Sequence, residues 1–157
     1  MNISFCLDEH GWSTCRLYVN MKSYEISITH IFPEDPIEQI IDALMSLIQG
    51  EKKREFNLYD EPGGVRITIE EIPTKQHMVL LQVDEFSEDY GQKVTNYRKI
   101  ISFEIKKTQL ICMFYFEFKK IAVLMKDRHF AENRQGEFPL GLFMEFEKLA
   151  TDFIDAK

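Results

Sequence analysis

The sequence predicts an α+β fold: a single antiparallel sheet of about six to seven strands, with two to three helices packed on one face. Three observations carry that prediction. Short stretches of alternating apolar and polar residues recur through the first two thirds of the chain, separated by turn residues. One strongly periodic helical segment, capped at both ends, interrupts them. The last third shifts to three- and four-residue apolar spacing, so strands give way to helices that can cover one face of the sheet.

Taken in order, Asn2–Leu7 is a short apolar run and a first strand, and Asp8-Glu9-His10-Gly11 is turn-like. From Trp12, Cys15, Leu17 and Val19 alternate with Thr14, Arg16 and Tyr18 in a half-buried strand. Tyr24, Ile26 and Ile28 alternate with Glu25, Ser27 and Thr29 in a third, which ends before Phe32-Pro33. Asp35 then reads as an N-cap, Pro36 sits at the first helical position and Glu38 falls where a capping-box acid belongs. Ile37, Ile40, Ile41, Leu44, Leu47 and Ile48 form one apolar stripe, and Gly50 closes the helix as the residue that tolerates positive φ. Beyond the charged link 51–54, Phe56 and Leu58 alternate with Asn57 and Tyr59. Glu61-Pro62-Gly63-Gly64 suits a type II turn, and Val65, Ile67 and Ile69 lead away as the second arm of a hairpin. Gln76–Phe86 and Tyr97–Ile105 read as two further strands, joined by an acidic loop from Glu85 to Gln92. Thr108 is placed as the cap of a long segment with Ile111, Phe114, Phe118, Ile121 and Met125 at helical spacing, although CMFYFEF also alternates like a strand. Leu140, Phe143, Phe146, Leu149 (or Ala150) and Phe153 mark a terminal amphipathic helix.

The chain has 157 residues and a formal charge of −7. One domain spanning 1–157 is expected, long enough to bury roughly 68–70% of its unfolded surface. The charge is uneven: residues 1–57 carry −4, 58–90 carry −6 and 91–157 carry +3. An acidic centre argues against nucleic acid or an anionic membrane as partner and is compatible with a basic protein. MNISFCLDEHGW has no basic start and no long apolar run, and no uncharged stretch of about 18 residues occurs, so neither a signal peptide nor a spanning helix is expected. Cys6, Cys15 and Cys112 show no CxxC spacing, which fits reduced thiols in a cytoplasmic protein.

No motif for catalysis, cofactor or metal stands out. His10, His30, His77 and His129 are scattered, without an HxxxH or HExxH pair, so no metal site is expected. Cys15 and Cys112 lie on apolar faces, where inert thiols are common. The pairs Asp8-Glu9, Asp60-Glu61, Glu70-Glu71, Asp84-Glu85 and Glu88-Asp89 are adjacent residues, and neighbours on a strand point to opposite faces. Neither a catalytic nor a cofactor residue is assigned. What the residues offer is a surface. Tyr59, Asp60 and Glu61 sit at a hairpin tip, and Glu85, Glu88, Asp89 and Tyr90 sit in a second loop. If the strands bring both to one end of the sheet, they form an acidic rim with tyrosines suited to protein recognition; the alternative is two unrelated solvent loops.

HGWSTCRLYV, DPIEQIIDALMSLIQGE, FNLYDEPGGVRITI and GEFPLGLFMEFEKL together resemble a group of bacterial proteins with a "GW" strand, a "DP" helix, an "EPG" turn and a closing "FP" helix. The resemblance covers most of the chain; Arg66-Ile67 stand where that group often carries Trp. Small acidic α+β proteins of this kind resemble immunity proteins, which neutralise a cognate toxin by binding it. The resemblance implies a cytoplasmic, non-enzymatic inhibitor of a basic toxin domain such as a nuclease, with the acidic rim over the toxin's active site. Two alternatives stand beside it. One is a small enzyme in which His10, His30 or His77 meets a carboxylate in a pocket. The other is a housekeeping ligand-binding scaffold, dimeric through a sheet edge.

Overall fold

Hairpins fold where short polar turns separate alternating strands, and here they do so in two separate groups. The structure, a computed structural model, describes residues 1–31, 34–87, 94–134 and 138–156. Strands β1 (Asn2–Leu7), β2 (Trp12–Val19) and β3 (Lys22–Thr29) form a three-stranded antiparallel sheet in chain order. After helix α1 (Pro36–Ile48), strands β4 (Lys53–Tyr59), β5 (Gly64–Ile72), β6 (Lys75–Phe86) and β7 (Arg98–Lys106) form a four-stranded antiparallel sheet, again in chain order. Helices α2 (Lys107–Leu124), α3 (Arg128–Ala131) and α4 (Leu140–Asp155) follow.

The expected single sheet of six to seven strands is therefore two sheets. The physical reason lies at α1. A short turn fixes two strands as antiparallel neighbours and sets their register. Between β3 and β4 the chain instead runs through a 13-residue helix, so no turn imposes pairing across that gap. Among the described residues four helical segments replace the expected two to three; the extra one, α3, is a four-residue turn whose Asp127 carboxylate accepts the Phe130 N–H at 3.0 Å.

Period-two burial orients both sheets. Ile3, Phe5, Cys15, Leu17, Ile26 and Ile28 face inward from the first sheet, and Leu58, Val65, Ile67, Ile69, Val79, Leu81 and Val83 from the second. The α1 stripe meets them: Ile37, Ile41 and Leu44 have no exposed surface. Asp35 caps α1 as expected, its Oδ1 accepting the N–H groups of Ile37 (2.8 Å) and Glu38 (2.9 Å). A residual void of about 20 Å³ lies where β2, β3, β4, β5, β6, α1 and α2 meet; its walls are apolar, so a water there would find no partner.

In α2 the ambiguity between strand and helix resolves as helix, because Leu110, Ile111, Phe114, Phe118 and Ile121 bury at steps of three and four. Thr108 does not cap it. β7 runs into α2 without a loop, so the extended Lys106 occupies the cap position and makes no side-chain cap bond. Lys107, buried in the first turn, is held by Glu71 of β5 at 2.8 Å. The outer edge of β1 is stoppered by α2, whose Glu117 carboxylate accepts the Phe5 N–H at 2.9 Å. No helix among the described residues is long and apolar enough to cross a membrane.

Candidate functional site

The turn chemistry of Asp60–Gly63 builds one end of the four-stranded sheet. Tyr59 pairs with Gly64 across the hairpin, the Asp60 N–H donates to Gly63 O at 3.0 Å, and the Glu61–Pro62 bond is cis. Gly63 has a positive φ, 96°, but the turn closes over Asp60–Gly63, with Pro62 third, and is not the type II turn expected over Glu61–Gly64. Both glycines are also required by packing. A Cβ on Gly63 would lie 2.3 Å from Phe86 O, and one on Gly64 2.3 Å from Leu58 O. That closeness lets the tip fold onto the end of β6, where Gly64 pairs with Phe86 and Val65 with Glu85.

Tyr59, Asp60, Glu61 and Glu85 thus share one end of the sheet. Glu88, Asp89 and Tyr90 lie outside the described residues. Glu85 is not an open carboxylate: it takes the Arg98 guanidinium, Nε donating to Oε2 at 2.8 Å, across the β6–β7 register. The pair is solvated on both sides and reversible at little cost. Among the described residues the rim is therefore less acidic than its sequence suggests, with Asp60 and Glu61 as its carboxylates outside that pair.

Aromatic packing supplies what the charge count could not. Phe86, 3% exposed, is edge-on to Tyr59 (5.7 Å between centroids) and to Tyr97 (6.0 Å). The Arg66 guanidinium lies 3.7 Å over the Tyr97 ring. Arg66 also faces Asp84, 3.8 Å away, and Asp84 is buried, gripped by the Gln82 amide at 2.9 and 2.8 Å. The Arg66 Nε is buried without a hydrogen-bond partner. Two concavities flank this end and share Pro62, Glu85 and Phe86. One of about 360 Å³ runs under Tyr97 and Arg98, and one of about 140 Å³ opens towards Glu25 and Ser27 of β3.

Arg66, Asp84, Phe86 and Tyr97 escape the sequence reading. Arg66 and Asp84 register as ordinary outward positions on two alternating strands, and only the cross-strand pairing Arg66↔Asp84 joins them. Counting back from the β5–β6 turn does not find the pair: a register shift at Glu71/Ile72 displaces the pairing, so that Ile72 pairs with Lys75 but Glu71 with Val79, and only the folded sheet brings Arg66 to Asp84.

The histidines divide. His10 is exposed beside Glu9, and His77 and His129 are exposed. The His30 side chain is 5% exposed, sharing a 2.6 Å hydrogen bond between its Nε2 and Ser13 Oγ, with its Nδ1 3.8 Å from Asp35 Oδ2. Ser, His and Asp thus stand in line, but the geometry is not nucleophilic. Ser13 is 1% exposed, facing the core between Leu7 and Ile28, and 3.8 Å is too long for a hydrogen bond. The Ser13–His30 bond ties β2 to the residue that follows β3. Burial, aided by the Glu117 charge, pushes the Cys15 thiol up to about 12, which makes it a poor nucleophile. Among the described residues no group of three His, Cys, Asp or Glu side chains is placed to hold a metal ion. Compared with family models, curated proteins and solved structures, the chain has no match.

Proposed function

We propose that the protein is a non-enzymatic protein-binding module that neutralises a basic partner domain by covering it, in the manner of the immunity proteins its motifs resemble. The observation that carries this reading is the meeting of Tyr59, Asp60 and Glu61 with Phe86 and Tyr97 at one end of the second sheet. Tyrosines on a packed base lose little freedom when a partner lands on them, and acids beside them steer a cationic partner and fix its orientation. Clefts on either side of Phe86 give that partner's side chains somewhere to enter. The place of action is the cytoplasm and the partner a basic toxin domain such as a nuclease, occluded at its active site.

The test is co-purification with the product of the adjacent gene, followed by binding kinetics. A one-to-one complex is expected. Asp60→Lys with Glu61→Lys should slow association and flatten its salt dependence, while Tyr59→Ala should speed dissociation. Unchanged kinetics in all three would remove this surface from the mechanism. A second reading, a small hydrolase, draws on the Ser13–His30–Asp35 line alone. A fluorophosphonate probe distinguishes the two: labelling of Ser13 in the native protein would favour the enzyme.

A further inference from the structure

We infer that Arg66 is the positioning residue of the recognition surface: aimed by Asp84, it fixes the ring of Tyr97, so that Tyr97 joins Tyr59 as an anchor for the partner. The inference rests on the proposed reading of this end of the second sheet as a binding surface. Tyr97 lies one residue beyond the last pair of the β6–β7 ladder, Glu85↔Arg98, so ladder hydrogen bonds do not set its ring. Two side chains do. Phe86, buried, meets it edge-on at 6.0 Å, and the Arg66 guanidinium lies 3.7 Å over its face. An arginine stacked this way draws on the negative face of the ring and on its own flat shape, which a lysine lacks.

The guanidinium is itself aimed. Two carboxylates feel its charge. Glu55 of β4 is taken by Lys53 at 3.0 Å and by the Thr68 hydroxyl at 3.4 Å. Asp84, the residue paired with Arg66 on β6, stands 3.8 Å away, is 3% exposed and is gripped by the Gln82 amide. This arrangement does not favour stability. A carboxylate is buried, and Arg66 Nε is buried without a hydrogen-bond partner among the described residues. Two apolar side chains would cover the same strands without desolvating a charge. Orphaned buried donors are rare in folded proteins, and they gather where function overrides packing. Here the pair leaves the guanidinium flat on Tyr97, beside the cavity of about 360 Å³ that Tyr97 and Phe86 line. A ring held in place before a partner arrives loses little freedom on binding, so the unfavourable pair is offset by slower dissociation.

Fluorine NMR of the full chain grown with fluorotyrosine tests the positioning without any partner, the Tyr97 resonance being assigned from Tyr97→Phe. In the native protein that resonance should stand clear of its position in urea. Arg66→Leu with Asp84→Leu should move it towards that position while the thermal transition stays within about 3 °C of wild type, because the charged pair is removed as a unit. Arg66→Lys keeps the charge and loses the flat stack, so it should move the resonance as far. Against the co-purified product of the adjacent gene, Tyr97→Ala and the double variant should each raise the dissociation rate about tenfold and leave association unchanged. A resonance that neither Arg66→Lys nor the double variant moves, a transition that falls further than that, or unchanged dissociation would each overturn the positioning. Absence of any complex would overturn the proposed binding function, and with it the anchor role of Tyr97, while the fluorine spectrum would still decide whether Arg66 holds the ring.

Discussion

Asp35→Ala removes the residue that starts α1. Its carboxylate accepts two N–H groups of the first turn, at 2.8 and 2.9 Å, and its second oxygen stands near His30. Loss of an acidic N-cap costs about 1 kcal/mol, within about 0.5–2, and the charge lost from the positive end of the helix adds about 0.3–1. A total near 1.5 kcal/mol lowers the melting temperature of a chain this long by about 3–6 °C. The first turn carries Ile37, and Ile37 with Ile41 and Leu44 sits at zero exposure in the core. Urea unfolding followed by circular dichroism should show a lower midpoint at constant m-value. Asp35→Asn separates the causes: it keeps the acceptor and loses the charge, so it should recover most of the deficit. If Asp35→Ala leaves the midpoint unmoved, or Asp35→Asn falls as far as Asp35→Ala, the capping bonds are not what holds this end of α1.

Three further outcomes follow from the packing and the charges. Gly64→Ala puts a methyl 2.3 Å from Leu58 O and 2.9 Å from Tyr59 Cα, both backbone atoms that cannot step aside, so it should cost more than about 2 kcal/mol in urea unfolding; Gly141→Ala, in the first turn of α4 with nothing within 4 Å, should be neutral or stabilising. The Lys107 ammonium hydrogen-bonded to Glu71 holds that carboxyl below its ordinary value of 4.5, so the stability it contributes is present above pH 4.5 and is lost as pH falls through the depressed value. Lys107→Met should therefore be less stable than wild type at neutral pH, with the gap narrowing on acidification in melts run from pH 7 to pH 3. Cys15, buried with its thiol pushed up to about 12, should stay unreactive towards a disulfide reagent until urea unfolds the chain, whereas native reaction as fast as in urea would contradict its burial.

Local chemistry was legible in the residues themselves. The Asp35 cap, the α1 stripe, the positive φ at Gly63 and the strand alternation up to Phe86 depend on neighbours a few positions away, and they read correctly. Tight turns force adjacent strands to be antiparallel, so Asp60 and Glu61 share one end of the sheet with Glu85, one of the two arrangements the residues left open, while Glu88, Asp89 and Tyr90 lie outside the described residues. Long-range pairing was not legible. Nothing within β3 or β4 states that they belong to different sheets; that was decided by where α1 found its apolar partners on both inner faces. The start of α2 at Lys107 instead of after Thr108 follows from β7 running into the helix without a loop, with Lys107 held by Glu71, 36 residues earlier in the chain. The composition of the candidate site shifted for the same reason. Arg98 neutralises Glu85, and Arg66 lies on Tyr97 31 residues away. Hydrophobic periodicity specifies which face of an element is buried, while the partner that covers it, and the charge that meets a charge, exist only once the chain has closed on itself.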